Sequence, residues 1–309
     1  MIVNQKKMQN LADNMTNNVE VAGRSLWADA MSRFTRNKAA MASVIVLVLV
    51  ILFALVGPSF SKWSNEAIDW QAMSAVKTLG APSFKSGHYF GTDNSGRDLY
   101  SRVIQGTGVS LFVGFIGSLV SVVVGTLYGA IAGYLGGRID NIMMRLVDIL
   151  MSIPYMFVLI LLLVMFGQSI SMLFVGIGLI SWFDMSRIVR GQTLSIKNKE
   201  YIEAALATGV PGFTIIMRHI VPNLIGIVIV YASLLVPGFI LTESFISFLG
   251  LGVQEPNTSW GALIAEGARN MQYGTLWQIA FPLFFFTITL FSMFFIGDGL
   301  RDALDPKDR

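Results

Sequence analysis

Long stretches of this 309-residue chain contain no charged side chain, and they constrain the fold more than any other feature. The first runs from Ala39 to Phe60, and two further uncharged stretches cover residues 103–137 and 149–183. A helix rises about 1.5 Å per residue, so about 20 residues cross a hydrocarbon core about 30 Å thick. Each stretch is long enough to do so. We therefore expect an all-α integral membrane protein.

Composition excludes other classes of protein. Hydrophobic residues make up 54% of the chain and charged residues 13%, which excludes a soluble globular domain as the main architecture. The chain has no cysteine, so disulfides, iron–sulfur clusters, thiolate zinc sites and cysteine nucleophiles are absent.

The distribution of basic residues decides how many spans to expect. Residues 149–183 form either one overlong helix or two helices joined at Gly167-Gln168-Ser169. Two helices give six spans, with 16 Lys and Arg residues on the side of the N-terminus and 6 on the other side. One helix gives five spans, with 9 Lys and Arg residues on the side of the N-terminus and 13 on the other side. Because basic residues concentrate in cytoplasmic loops, we predict six transmembrane helices with both termini in the cytoplasm.

The predicted chain therefore divides into five parts. Residues 1–38 form a cytoplasmic tail, 39–60 the first transmembrane helix, and 61–102 an extracytoplasmic segment. Residues 103–297 form a core of five further spans, and 298–309 a cytoplasmic tail. Apolar residues recur at helical spacing beside basic ones near the end of the first tail, which predicts an amphipathic helix at the membrane surface. These apolar residues are Leu26, Trp27, Ala30, Met31 and Phe34.

Small residues recur at every fourth position of the second uncharged stretch. Such a stripe lets helix backbones approach closely, so we predict a packing face, with a pore-lining role as the alternative. Its members are Gly117, Ser121, Gly125, Gly129, Gly133 and Gly137.

Charged and proline residues near the spans give three smaller expectations. The charges between Arg138 and Asp148 mark a short loop, in which Arg145 could pair with Asp148 if the segment is helical. Pro237-Gly238 should kink or interrupt the fifth span, which begins near Pro222. Glu243 lies close to the outer interface, where a proton site and a pore charge are the functional alternatives. A single carboxylate without a titratable partner in the membrane is a poor proton relay.

The most distinctive polar segment is residues 199–209. Tyr201 to Thr208 favour a helix, and Gly209 is a natural helix stop. In this helix Tyr201, Ile202, Ala205 and Leu206 fall on one side, while Glu200 and Glu203 share a face.

This segment carries a family resemblance. Glu203-Ala204-Ala205, followed by Gly209, Ile220 and Pro222, resembles the EAA loop of permease subunits from ATP-binding-cassette importers. The resemblance implies a type I importer permease fold. It also implies that residues 199–209 form a coupling helix, which inserts into a groove on an ATPase subunit and transmits its closure to the spans.

Three more stretches resemble the second permease subunit in the peptide and nickel branch of these importers. They are residues 88–99, 244–261 and 297–307. The resemblance implies transport of oligopeptides across a bacterial cytoplasmic membrane. The implied partners are a homologous second permease, two ATPase subunits that use ATP and Mg²⁺, an extracytoplasmic peptide-binding protein, the peptide and membrane lipid. Dipeptides, glutathione and nickel remain alternative substrates.

Motifs for catalysis are missing. The chain lacks the G-x-x-x-x-G-K-[ST], H-E-x-x-H and G-x-S-x-G patterns, so we expect no enzymatic activity, no bound cofactor and no metal. Nucleic acid is not an expected partner, and no substrate-binding residue stands out. A proton-coupled secondary transporter is the alternative from another class, disfavoured because paired titratable groups are missing from the spans.

Overall fold

The computed structural model describes residues 26–74 and 80–304. Regular structure within these residues is helical, and β pairing there is limited to isolated bridges such as Ile68 with Arg97. Five helical segments of the described chain are long and apolar enough to cross a membrane, or six if one bent pair is a single span. The predicted all-α membrane architecture is confirmed. The predicted tails lie partly outside the described residues.

The first span begins just after a short helix. Helix α1 covers Leu26–Arg36, and α2 covers Lys38–Val56 before a 3-10 turn at Gly57–Phe60. Asn37 separates α1 from α2 and accepts a hydrogen bond from the backbone N–H of Ala40, which caps α2. Trp27 and Met31 remain exposed on α1, whereas Ala30 is buried.

Helix α4, Leu99–Leu135, is the longest in the fold. A short helix, α3, covers Trp70–Ser74 in the preceding segment. Asp98 caps α4 by accepting a hydrogen bond from Ser101 N–H, so α4 begins before residue 103, the predicted start of the core. Its 37 residues measure about 55 Å, which exceeds the hydrocarbon core. Its ends therefore extend beyond the membrane interior.

The next two spans each contain two helices. Helix α5 covers Gly137–Met151 and α6 covers Tyr155–Phe166, and the two are bent by 71°. The predicted loop between Arg138 and Asp148 is therefore wrong, because these charges lie within α5. Helices α7, Ile170–Ile180, and α8, Trp182–Ile196, follow, so the chain does break at Gly167-Gln168-Ser169.

The remaining helices complete the bundle. Helix α9 covers Glu200–Ala207, α10 covers Gly212–Ile215, and a π-helical turn covers Ile216–Ile220. Helix α11, Val221–Phe248, passes through Pro237 without ending, so the helix is not interrupted there, and the alternative of a kink stays a prediction. Proline removes one backbone donor, and the rest of the helix stays intact. Helix α12 covers Trp260–Asn270, a 3-10 turn covers Met271–Tyr273, and α13 covers Trp277–Leu304.

Helix α4 lies at the centre of the packing. It makes its most extensive contact with α8 and its next with α11, while α13 packs against α2, α11 and α12. One end of α4 approaches α9, and the other approaches α12, because Gly106 lies against Ser259 and Leu263. The following sections refer to these as the α9 end and the α12 end.

Candidate coupling site

Helix α9 is short because its sequence stops it. Gly209 has a φ of +79°, a left-handed conformation that suits glycine. Its N–H bonds to Leu206 C=O, and Val210 N–H bonds to Ala205 C=O. These two hydrogen bonds form a Schellman motif, which satisfies the last carbonyls of the helix. The chain therefore turns sharply after two helical turns.

The sequence predicted that the apolar residues of α9 share one face. In the structure they divide between two faces. Ile202 is buried and Ala205 is half-buried, whereas Tyr201 and Leu206 are 44% and 61% exposed. Glu203 and Ala204 are also exposed. We call the outward side, Glu200, Tyr201, Glu203, Ala204 and Leu206, the coupling surface. Exposed apolar side chains that are bordered by polar ones are typical of a site for a protein partner.

The inward side of α9 joins a core shared by four other elements. Ile202 packs in one cluster with α4, α8, the π-helical turn and α11. The partners from α4 and α8 are Ala130, Met185 and Val189, and those from the turn and α11 are Ile216, Ile220, Leu224 and Val228. Because a packed core resists compression, a force on α9 reaches all of these helices.

Two other residues of the predicted loop motif have different environments. Ile220 is fully buried in the same core, at the end of the π-helical turn. Pro222 is exposed in the first turn of α11, where its missing N–H costs nothing. Within the loop motif, Ile220 therefore supports α9 from inside, and Pro222 fixes where α11 begins.

The stripe of small residues lies largely in the contact between α4 and α8. A β-carbon added to Gly125 or Gly133 would lie within 3 Å of α8 atoms. At Gly129 it would meet Ser186 C=O, and lie 2.9 Å from Arg190 N. Gly117 instead faces Ile177 and Phe239, on α7 and α11. Ser121 Oγ donates to Ser181 C=O at 2.6 Å.

Gly137 does not belong to this contact. It starts α5 with a φ of +56°, and a β-carbon there would have no neighbour within 4 Å. The stripe therefore stops at Gly133, because the helix itself stops at Leu135.

Ion pairs that the sequence did not predict join α5 to α8. Asp140 accepts hydrogen bonds from Arg190, and Asp148 pairs with Arg187. The predicted pairing of Asp148 with Arg145 is therefore replaced by a pair between helices. One sequence signal could have indicated this contact. Asp140 and Asp148 are eight residues apart, which puts them on one face of a helix.

A second charged network lies at the α12 end. The Asp93 carboxylate accepts from Arg97 Nε at 2.8 Å and lies 3.3 Å from Arg102 Nη1. Arg97 also donates to Glu255, and Arg102 to Glu266. The hydrogen bond from Arg97 holds the pKa of Glu255 below its usual value, while burial and the charge of Asp93 raise the pKa of Glu266. The network ties the start of α4 to α12 and the loop before it.

His88 reinforces the same end. Its Nδ1 lies 2.9 Å from Asp98 Oδ1 and its Nε2 3.2 Å from Asp69 Oδ2, and its ring stacks on Trp63. Asp98 is also the residue that caps α4. These contacts fix the segment before α4 onto the helix start.

Glu243 is completely buried within α11, and so it faces no pore. Its oxygens accept from Ser247 Oγ at 2.7 Å and from Ser110 Oγ at 3.0 Å. These hydroxyls in turn accept from the backbone N–H groups of Val253 and Trp260. Each hydroxyl proton is thus directed to the Glu243 carboxyl group. Glu243 consequently holds α4, α11 and the loop before α12 together.

Comparisons with known proteins match two parts of the chain to family models. Residues 125–309 match a model described as a binding-protein-dependent transport system inner membrane component. Residues 25–82 match the N-terminal TM domain of oligopeptide transport permease C.

Several relatives match almost the whole chain. The chain is 57% identical to the oligopeptide transport system permease protein OppC of Escherichia coli (strain K12) over 309 residues, covering 100% of both. It is 54% identical to OppC of Haemophilus influenzae over 310 residues, covering 99% of this chain and 97% of the relative. It is 40% identical to the dipeptide transport system permease protein DppC of Bacillus subtilis over 308 residues, covering 100% of this chain and 92% of the relative. These relatives are transport permeases rather than enzymes, which confirms that expectation.

Proposed function

Since the chain belongs to the family of binding-protein-dependent transport system inner membrane components, we propose that it forms half of the transmembrane pathway of an importer and is driven by separate ATPase subunits. The sequence analysis predicted this family from the EAA-like loop and from three other stretches, and the comparisons confirm that prediction. Identity of 54–57% over nearly the whole chain to oligopeptide permeases of Escherichia coli and Haemophilus influenzae supports oligopeptides as the substrate, with dipeptides, glutathione and nickel as the alternatives.

The proposed orientation places α9 in the cytoplasm of a bacterial cell. Its support is the charge distribution: six crossings leave 16 basic residues on the side of α9 and both termini, against 6 on the other. The α12 end then faces outward. There residues 61–74 and 80–98, together with α12, are available to an extracytoplasmic peptide-binding protein.

The observation that carries the coupling proposal is the division of α9 into two faces. Its outward face, the coupling surface, presents Tyr201, Glu203 and Leu206 to a partner. Its inward residue, Ile202, lies in a core shared with α4, α8 and α11. Movement of a docked ATPase is therefore transmitted to the helices that surround the pathway.

Each partner has a separate task in this proposal. Two ATPases bind ATP and Mg²⁺ and close on each other, and a homologous permease supplies the other half of the pathway. Closure moves α9 in each permease, and the pathway alternates between outward and inward access. The peptide arrives from the binding protein outside.

The test is peptide uptake by vesicles that contain all subunits. Glu203→Lys reverses the charge of the coupling surface, and like charges brought together at an interface cost several kcal/mol. We expect ATP-driven uptake to fall at least about tenfold while peptide capture by the binding protein is unchanged. Asp302→Lys reverses an exposed charge on α13 and serves as the matched control. Wild-type uptake by Glu203→Lys would refute the coupling role, and a wild-type complex that takes up no peptide would refute the substrate class.

A further inference from the structure

A cleft of about 410 Å³ lies beside two helix junctions and the Pro237-Gly238 pair of α11. The two junctions are the bend between α5 and α6 at Pro154 and the junction of α7 and α8 at Ser181. Pro154, Ser181 and Gly238 all line the cleft. Discontinuous helices near the middle of a membrane often surround a substrate pathway.

The cleft lies deep in the bundle rather than at either end. Ser181 is bonded to Ser121, which is 22 residues from the first residue of α4 and 14 from its last. At about 1.5 Å per residue, these separations are about 33 Å and 21 Å. A ligand in the cleft would therefore be far from both ends of α4.

Asp184 is the acidic residue among those that line this cleft. Its side chain is exposed to the cleft, and within the described residues it has no hydrogen bond or ion pair. By contrast, Asp140 and Asp148 are paired with arginines on α8. A carboxylate in a membrane-spanning segment is costly, and unpaired ones mark water-filled cavities and substrate pathways.

A second polar group beside Asp184 also lacks a partner. Ser181 Oγ is buried and makes no hydrogen bond within the described residues, although buried hydroxyls are nearly always bonded. It is three residues before Asp184 and lines the same cleft. Across the cleft, Tyr155 and Thr242 join their hydroxyls at 3.0 Å. Most of the remaining lining is apolar.

We propose that Asp184 binds the cationic α-amino group of a peptide in transit; this inference rests on the proposed function. An ammonium group has three donors and one positive charge, so it matches the free carboxylate of Asp184. Every peptide with a free N-terminus carries this group whatever its sequence. The apolar walls then accommodate different side chains.

The charge of the cleft can be measured directly, because the chain has no native cysteine. Gly238→Cys is a suitable probe, since a β-carbon there meets nothing within 4 Å. We expect this thiol in the assembled complex to react faster with a trimethylammonium thiosulfonate than with a sulfonate analogue. Adding Asp184→Asn should lower that rate ratio about tenfold, while adding Asp302→Asn should not change it.

Peptide protection identifies the ligand. Trialanine should slow labelling of Gly238→Cys, whereas N-acetyltrialanine should not, and Asp184→Asn should abolish the difference. Protection by an N-acetylated peptide that carries lysine would assign the site to side-chain cations and overturn the α-amino proposal. So would equal protection by both trialanine forms, or a rate ratio that Asp184→Asn leaves unchanged.

Transport separates this inference from the proposed function. At saturating loaded binding protein, Asp184→Asn should reduce the peptide imported per ATP hydrolysed about tenfold, and Asp184→Glu should restore much of it. Wild-type peptide import with normal yield in Asp184→Asn would overturn the cleft proposal alone. Absence of peptide import by the wild-type complex would overturn the proposed function, whatever the labelling result.

Discussion

Single residues determine the shape of the coupling surface. Ile202 points into the core, and Gly209 turns the chain back towards α10 immediately after α9. Gly209 can do this because of its backbone conformation, not because space is short: a β-carbon there would meet no atom within 4 Å. Backbone strain and steric crowding can therefore be separated at this position.

We predict that Gly209→Val impairs coupling and that Gly209→Asn does not. A β-branched residue in the left-handed region costs about 1–2 kcal/mol, whereas asparagine adopts this region readily. ATP-driven uptake should fall about 5- to 30-fold in the valine variant, if the strain is relieved by moving α9. The measurement is uptake in the complete importer, normalised to assembled complex. Equal uptake by the two variants would show that the turn geometry is irrelevant.

At the scale of elements, the contact between α4 and α8 holds the bundle together. The small residues of α4 bring the two backbones close, and Arg187 and Arg190 of α8 pair with acids on α5. Lys197 at the end of α8 also donates to Gly133 C=O. Helices α4, α5 and α8 are therefore joined into one packed unit.

Gly129→Leu should disrupt this contact. Its side chain would meet backbone atoms of Ser186 and Arg190, which cannot rotate away, so the helices must separate. Overpacking of this kind costs about 1–3 kcal/mol. We expect a lower melting temperature of the purified complex and less assembled importer. Gly108→Leu is the matched control on α4, because a β-carbon at Gly108 has no neighbour within 4 Å. Similar losses in both variants would contradict the packing role of the stripe.

The sequence was sufficient for elements that obey local rules. The uncharged run gave the first span, predicted at 39–60 and found at Lys38–Phe60, and Gly167-Gln168-Ser169 gave a helix break. The sequence was insufficient for features that depend on contacts between residues far apart in the chain. The charges of α5 resembled a loop because their arginine partners lie about 40 to 50 positions later, and Ile202 and Leu206 could not be separated without knowing the core.

At the scale of the molecule, three regions lie along α4. The α12 end is fastened by the Asp93 network and by Glu243, and the α9 end contains the core around Ile202. The cleft with Asp184 lies between them. This order is what alternating access requires, because a site between two ends can open towards one end while the other stays closed.

The central claim is that the coupling surface of α9 touches an ATPase in the cytoplasm. Crosslinking tests it most directly, with single cysteines at Leu206, which is exposed, and at Ile202, which is buried on the same helix. With a short bifunctional thiol reagent and a cysteine in the groove of the ATPase, Leu206→Cys should crosslink in the assembled importer and Ile202→Cys should not. The claim would be contradicted if Leu206→Cys failed to crosslink in an intact complex, or if an impermeant maleimide labelled it from outside sealed cells.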